Sequence, residues 1–220
     1  MVRQLRLKLE RDRLASLDEF VRGVSNRDAA TAVERWPDWL GGCLTLVGPK
    51  GAGKSHLARA WTKAAQALVV PGSAVDLVPS AGRPMLLEDA DRGVPDEALF
   101  HLINVAGRDG GGLLLTARTR PSSWPTALHD LRSRLNALPV VEIAPPDDAV
   151  LEGVLRKFFR DRNIRPPQEI YPYLLARMNR SIPDAAEIVR RLDEAGDDGF
   201  RPITRVLARE VLEENQSLDL

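Results

Sequence analysis

The stretch GPKGAGKS, residues 48–55, sets Gly48, Gly53, Lys54 and Ser55 at the spacing G-x-x-x-x-G-K-[ST]. This spacing serves phosphate chemistry. Gly48, Gly51 and Gly53, with Pro49, Lys50 and Ala52 between them, let a tight loop turn its amides toward phosphate oxygens. A helix starting behind the loop offers its positive end to the same anion. Lys54 would pair with the β- and γ-phosphates, and the Ser55 hydroxyl would ligate Mg2+. The alternative for such a segment is a glycine-rich structural turn. The Lys-Ser pair and the apolar run just before the loop favour phosphate.

Phosphoryl chemistry also needs a carboxylate near the metal and polar groups near the terminal phosphate. In MLLEDAD, Glu88 follows Met85, Leu86 and Leu87 and is expected at the carboxyl end of a strand, where open parallel sheets bind ligands. Asp89 beside it could orient an attacking water, while Asp91 reads as a solvent-facing residue or a helix cap. Thr116, ending LLLT, either reaches the terminal phosphate or bonds its own loop. Arg132 and Arg134 in HDLRSRL stand two apart on an expected helix and point in different directions, so at least one faces solvent. It is there either for solubility or as an arginine finger that completes another subunit's phosphate site.

Positioning these residues requires strands that end together. CLTLV at 43–47, PMLL, GGLLLTA and PVVEIA are short apolar runs of the kind found in buried parallel strands. SHLARAWTKAAQAL, DEALFHLINVAGRD and ALHDLRSRLNAL have helical spacing, as does a segment capped by Ser25 or Asn26 and running through Ala29, Ala30 and Val33. Strands alternating with helices predict an α/β fold with a three-layer parallel sheet. Beyond Ala144-Pro145-Pro146 no strand candidate remains, and DDAVLEGVLRKFFRDR, QEIYPYLLARM, SIPDAAEIVRRLDEA and ITRVLAREVLEEN all read as helices. The expected organisation is an extended leader over 1–18, an α/β nucleotide-binding domain over 19–145 and an all-helical lid over 146–220.

With 220 residues, 44% hydrophobic and 28% charged, the composition is that of an ordinary globular chain, and no apolar run approaches the ~18 residues of a membrane span. The charged N-terminus lacks the apolar core of a secretory signal, so a cytoplasmic location without membrane partners is expected. Cys43 stands alone and is expected as a small buried residue. The 31 basic and 31 acidic residues cancel, which argues against a large non-specific DNA surface. His56, His101 and His129 lack metal-ligand spacing, and Trp36, Trp39, Trp61 and Trp124 are expected to fill gaps between helices and sheet.

P-loop, acidic strand end, polar strand end, arginine-bearing helix and helical lid follow the order of the AAA+ ATPases, which the chain resembles. FVRGVSNRDA, residues 20–29, is similar to the F-V-x-G-x-S-N-x-x-A signature ahead of the P-loop in the replication initiator DnaA and its relatives. GPKGAGKSHLARA is similar to their G-x-x-G-x-G-K-[ST]-H-L-x-x-A, and RSRLNALPVVEIAPPDD looks like their arginine-finger segment running into the hinge. The resemblance implies ADP or ATP with Mg2+ as ligands. It places Phe20, Val21, Gly23 and Asn26 beside the adenine, counts His56 of the extended P-loop motif among the nucleotide contacts, and makes Glu88 and Asp89 the acidic pair, with Ser55 and Glu88 on the metal.

Initiators continue into a helix-turn-helix domain, whereas this sequence ends at Leu220, and the resemblance narrows to the AAA+-only Hda group. That group acts with the DNA-loaded sliding clamp to stimulate hydrolysis of DnaA-bound ATP, restraining initiation. The implied partners are DnaA and the clamp, with self-association also possible. Arg134 would be the finger supplied in trans. QLRLKL at 4–9 is similar to a clamp-binding Q-L-[SP]-L-P-L: Gln4, Leu5, Leu7 and Leu9 match, while Arg6 and Lys8 depart. As residues alone, that alternation reads either as a strand or as an extended peptide with its leucines on one side. A nucleotide-sensing lid arginine of many relatives falls near Pro183, with Arg180 close by, which implies weak intrinsic ATPase activity. VPGSAVDLVPSAGRP leaves room for little more than a strand AVDLV where initiators place a DNA-contacting helix, so no strong direct DNA binding is expected. The competing readings are a DNA-active AAA+ ATPase of helicase-loader or initiator type and a small P-loop metabolite kinase.

Overall fold

Apolar runs long enough for a strand and too short for a helix supply the sheet: β1 (Cys43–Val47), β2 (Leu68–Val69), β3 (Pro84–Leu87), β4 (Gly112–Ala117) and β5 (Val140–Glu142). In the computed structural model, which describes residues 16–72, 82–107, 111–199 and 202–216, they pair side by side in the order β2-β3-β4-β1-β5. Every pairing is parallel. The helices α1 (Arg27–Glu34), α2 (Lys54–Ala65), α3 (Asp96–Ala106) and α4 (His129–Ala137) cover the two faces.

Alternate strand residues point to opposite faces, and here both faces are buried. Leu44, Leu46, Leu86 and Leu114 pack with Leu57, Ala58 and Trp61 of α2. Cys43, Met85, Leu87, Leu113 and Leu115 pack with Leu99 and Leu102 of α3 and Leu131 and Leu135 of α4. All of β1 and β4 is therefore buried, which is why these runs are continuously apolar rather than alternating. Burial pushes the Cys43 thiol up to about 12, as suits an inert core residue.

The helices α5 (Asp148–Asp161), α6 (Ile170–Leu175), α7 (Ile182–Gly199) and α8 (Arg205–Gln216) enclose a separate core. Leu151, Leu155, Phe159, Leu174, Ile188 and Leu207 lie at its centre. Among the described residues no helix is long and apolar enough to cross a membrane.

Local departures from the sequence reading have physical causes. The helix expected to continue through Leu68 stops at Ala65, where Gln66 turns left-handed at φ 51°, and Leu68 and Val69 pair with β3 instead. An alanine-rich pattern conceals that stop, because alanine suits both the helix interior and its end. The strand expected at 74–78 lies outside the described residues. Trp39, Trp61 and Trp124 are buried as expected, but Trp36 is half-exposed and meets Trp61 edge-on at 6.0 Å between ring centres.

Candidate nucleotide site

Because all five strands are parallel, the loops after β1, β3, β4 and β5 emerge along one rim of the sheet. After β1, the Gly48 amide donates to the Ala117 carbonyl of β4 at 3.2 Å. A Cβ at Gly48 would lie 2.3 Å from the Ile143 carbonyl oxygen, so only glycine fits without a backbone shift. Gly51 takes φ +81°, and Gly53, at φ +100°, is the N-cap of α2, so the loop curls in front of that helix's positive end.

Lys54, the first residue of α2, is buried, and its Nζ donates to the carbonyls of Gly48 at 2.7 Å and Pro49 at 3.0 Å. Burial lowers its pKa; Asp89 and Asp91 oppose that shift, and Arg118 and Arg92 add to it. Its partners are neutral carbonyls, weaker acceptors than a phosphate oxygen. Ser55 follows, exposed. Curled glycine backbone, helix end and ammonium together fit a nucleotide phosphate.

At the end of β3, the Asp89 amide donates to the Thr116 hydroxyl at 3.0 Å, and the Ala90 amide donates to the Thr116 carbonyl at 2.8 Å. Thr116 therefore ties two strand ends together instead of bonding its own loop. Glu88 turns toward α2, accepting from Arg59 Nε at 3.2 Å, and the carboxylates that act on Lys54 are those of Asp89 and, more weakly, Asp91. Asp91 is half-buried: its Oδ2 accepts from the amides of Arg118 at 2.8 Å and Thr119 at 3.2 Å, shaping the turn after β4. Asp91 is thus neither a free solvent-facing residue nor a helix cap, the two roles its sequence suggests. Its place in an acidic turn directly after a strand was the available signal. Among the described residues no group of three or more His, Cys, Asp or Glu stands together as a metal site. A Mg2+ here would take a hydroxyl, a carboxylate at most, and phosphate and water oxygens, a set this ion commonly uses.

On the other side of the P-loop, Phe20 is buried and stacks on His56 with ring centres 5.9 Å apart. Burial, then Lys157 and Arg59, hold the His56 pKa low, with Glu19 opposing. Asn26 occupies the N-cap position of α1 without capping it: its Oδ1 accepts from the Gly23 amide, and its Nδ2 donates to the Val21 carbonyl, both at 2.9 Å. The expected capping is thus replaced by internal bracing of the 20–26 loop, because the buried amide group satisfies two backbone groups there. Val21 packs against Gly153 on α5.

This loop meets the lid at the hinge. The Ser25 carbonyl accepts from the Ala144 amide at 3.0 Å, and Asp147 Oδ2 accepts from the Ser25 amide at 3.0 Å. The other Asp147 oxygen caps α5 through the Val150 amide at 2.9 Å. The Val150 and Ser25 bonds hold the Asp147 carboxyl below its usual range. The Ile182 amide donates to the Gly51 carbonyl at 3.1 Å, and Ser181 and Pro183 crowd the position a Gly51 Cβ would take. Arg180 donates to Asp148 at 2.6 Å and to the Pro146 carbonyl at 3.1 Å, so it is engaged at the hinge.

The two candidate finger arginines separate clearly. Arg132 is tied down, donating to the carbonyls of Ser122 at 3.0 Å and Trp124 at 2.7 Å. Arg134 is exposed, with no hydrogen bond or ion pair among the described residues. Gln4, Leu5, Leu7 and Leu9 lie outside the described residues.

No protein-family model matches the chain. Its sequence is similar to the chromosomal replication initiator protein DnaA of Leifsonia xyli subsp. xyli, 25% identical over 235 aligned positions that cover 93% of this chain and 50% of that one. It is similar also to DnaA of Thermomicrobium roseum, 24% identical over 121 positions that cover 55% and 26%. The chain thus matches half or less of the length of these curated relatives. In structure it is similar to domain III of the Thermotoga maritima replication initiation protein DnaA, with a TM-score of 0.76, 17% identity and coverage of 91% and 96%. A DnaA bound to AMPPCP and single-stranded DNA follows at TM-score 0.68, 18% identity and coverage of 84% and 66%. Thermotoga maritima RuvB gives 0.70, 17% and coverage of 90% and 71%. The chain has the AAA+ P-loop fold of DnaA domain III, with sequence similarity to DnaA beside it; RuvB shares the fold.

Proposed function

We propose that the chain is a nucleotide-binding adaptor of the DnaA-related AAA+ class, which binds ADP or ATP with Mg2+ and stimulates hydrolysis of ATP on DnaA while tethered to the sliding clamp. The observation that carries this reading is Arg134: an exposed arginine at the end of α4 with no partner among the described residues, next to an arginine of the same helix that is fully engaged. A guanidinium left free at a surface is available to a phosphate on another protein, and such a finger contributes ~10³- to 10⁵-fold in rate.

In this proposal the residues have separate tasks. Lys54 and the loop amides from Lys50 to Ser55 hold the phosphates, and Ser55, with Glu88 or Asp89, holds the metal, which neutralises phosphate charge. The loop from Phe20 to Asn26, with His56, borders the base. Gln4, Leu5, Leu7 and Leu9 engage the clamp as an extended peptide. The boundaries at 18 and 145 divide leader, nucleotide domain and lid, and the whole works in the cytoplasm.

A reconstituted assay containing DnaA, loaded clamp and this protein, each omitted in turn, tests the proposal. ATP hydrolysis should require all three. Arg134→Ala should abolish stimulation while nucleotide binding by the variant stays intact; unchanged stimulation would refute the finger assignment. A DNA-active ATPase is the second reading, favoured by the structural likeness to a DnaA bound to AMPPCP and single-stranded DNA. The balance of 31 basic and 31 acidic residues weighs against it.

A further inference from the structure

Two side chains of the phosphate site already have partners within the chain. Lys54 Nζ donates to two carbonyls of its own loop, and the Glu88 carboxylate accepts from Arg59 Nε at 3.2 Å, with no other hydrogen bond or ion pair among the described residues. The strand sets this direction. Met85 and Leu87 face α3 and α4 and Leu86 faces α2, so Glu88, next in the alternation, falls on the α2 side. Arg59 stands four residues after Ser55, so both lie on one exposed face of α2, a single turn apart. Glu88 is therefore held one turn away from the hydroxyl assigned to the metal.

The charges that act on Lys54 come from Asp89, Arg118, Asp91 and Arg92, so the pair of Arg59 and Glu88 stands apart from them. The pairing matters because the loop receives an anion. A bare carboxylate beside it repels the phosphates of a nucleotide unless a cation stands between the two. Arg59 supplies that cation from within the chain, whereas a divalent metal supplies it from solution. A carboxylate already engaged by a guanidinium has correspondingly less to offer the metal. The pair is open to solvent, with side-chain exposures of 68% for Arg59 and 27% for Glu88, so its hold is modest and can be exchanged.

We infer that Arg59 is a positioning residue for Glu88 and sets how far nucleotide binding depends on Mg2+: by neutralising the carboxylate it lets the site take nucleotide with or without the metal. The inference rests on the proposal that the P-loop binds adenine nucleotide. Its test is the dissociation constant of ADP, measured by calorimetry once with Mg2+ and once with EDTA in its place. The chains compared are the unmodified one, Arg59→Ala, Arg59→Lys, Glu88→Gln, the double variant Arg59→Ala with Glu88→Gln, and Lys54→Ala. The quantity read is the ratio of the constant without metal to the constant with it.

Freed of Arg59, Glu88 repels metal-free nucleotide and attracts the metal, so the ratio should rise about fivefold in Arg59→Ala, the scale of an exposed ion pair. Arg59→Lys keeps the charge and should keep the ratio within about twofold. The double variant should return to the ratio of Glu88→Gln alone, which separates the charge of Glu88 from any packing lost with Arg59. An unmoved ratio in Arg59→Ala, whatever its thermal midpoint does, would overturn the inference, and so would a rise that persists in the double variant. If the unmodified chain binds ADP in neither condition, or Lys54→Ala binds it as tightly as the unmodified chain, the nucleotide proposal itself fails. That result is distinct from one in which ADP binds and only Arg59 is silent.

Discussion

The phosphate rim and the hinge seam both border the same loop, yet they are held by different means. At the rim the backbone fixes position: Gly48 lies too close to Ile143 for a Cβ, and the ends of β3 and β4 are joined through Thr116 and the amides of Asp89 and Ala90. At the seam, side chains fix position by reaching backbone far away in sequence. Asp147 holds Ser25 across 122 residues, and Arg180 holds Pro146 across 34. The rim is therefore a preformed cradle with little freedom, while the seam is a small set of polar bonds that pH, salt or a ligand can loosen. A nucleotide between them would meet a rigid wall on one side and an adjustable one on the other.

Substitution at the rim should have the largest effect. Gly48→Ala forces a Cβ to within 2.3 Å of a carbonyl oxygen in a packed loop. We expect a stability loss of ~2–4 kcal/mol in denaturant titration together with loss of nucleotide binding, since overpacking against backbone cannot be relieved by a rotamer change. A fully stable Gly48→Ala chain would mean that the rim is as adaptable as the seam.

Asp147→Ala comes next. It removes a helix cap and the Ser25 bond together and should cost ~1–3 kcal/mol. Asp147→Asn, which can accept only one of the two amides, should fall in between. Because the folded-state carboxyl sits below the ordinary 3.8, the contribution of Asp147 is present in full above that pH and fades as pH falls through the folded value. The stability gap between the unmodified chain and Asp147→Ala should therefore be constant near neutrality and shrink in the acid range below 3.8; a gap that widens toward acid would contradict the assignment.

The same contrast explains what could be read without a structure. The rim was legible because its determinants are close in sequence: GPKGAGKS is contiguous, and LLLTA and PMLL are buried on both faces and so continuously apolar. The seam was not, because nothing within APPDD reports that Asp147 will reach Ser25, and nothing in VSN reports that Asn26 will turn inward rather than cap α1. β2 was missed because two residues at a sheet edge carry no period of their own. Arg118 and Arg92 were overlooked for a related reason: they become neighbours of Lys54 only when β3 and β4 lie side by side.

Arg180→Ala should give the smallest effect. Its guanidinium is half-exposed and its partner Asp148 more so, at 51% and 72% of the side chains, although the contact itself is short at 2.6 Å. An exposed pair of this kind contributes ~0–1 kcal/mol, less in high salt. We expect a loss within ~0.5 kcal/mol that disappears in high salt, in contrast to Asp147→Ala, whose amide bonds are only weakly screened. A loss above ~2 kcal/mol would mean that the bond from Arg180 to the Pro146 carbonyl, rather than the ion pair, holds the hinge. The seam would then depend on two anchors, Asp147 on the loop side and Arg180 on the lid side, and a ligand could release it only by displacing both.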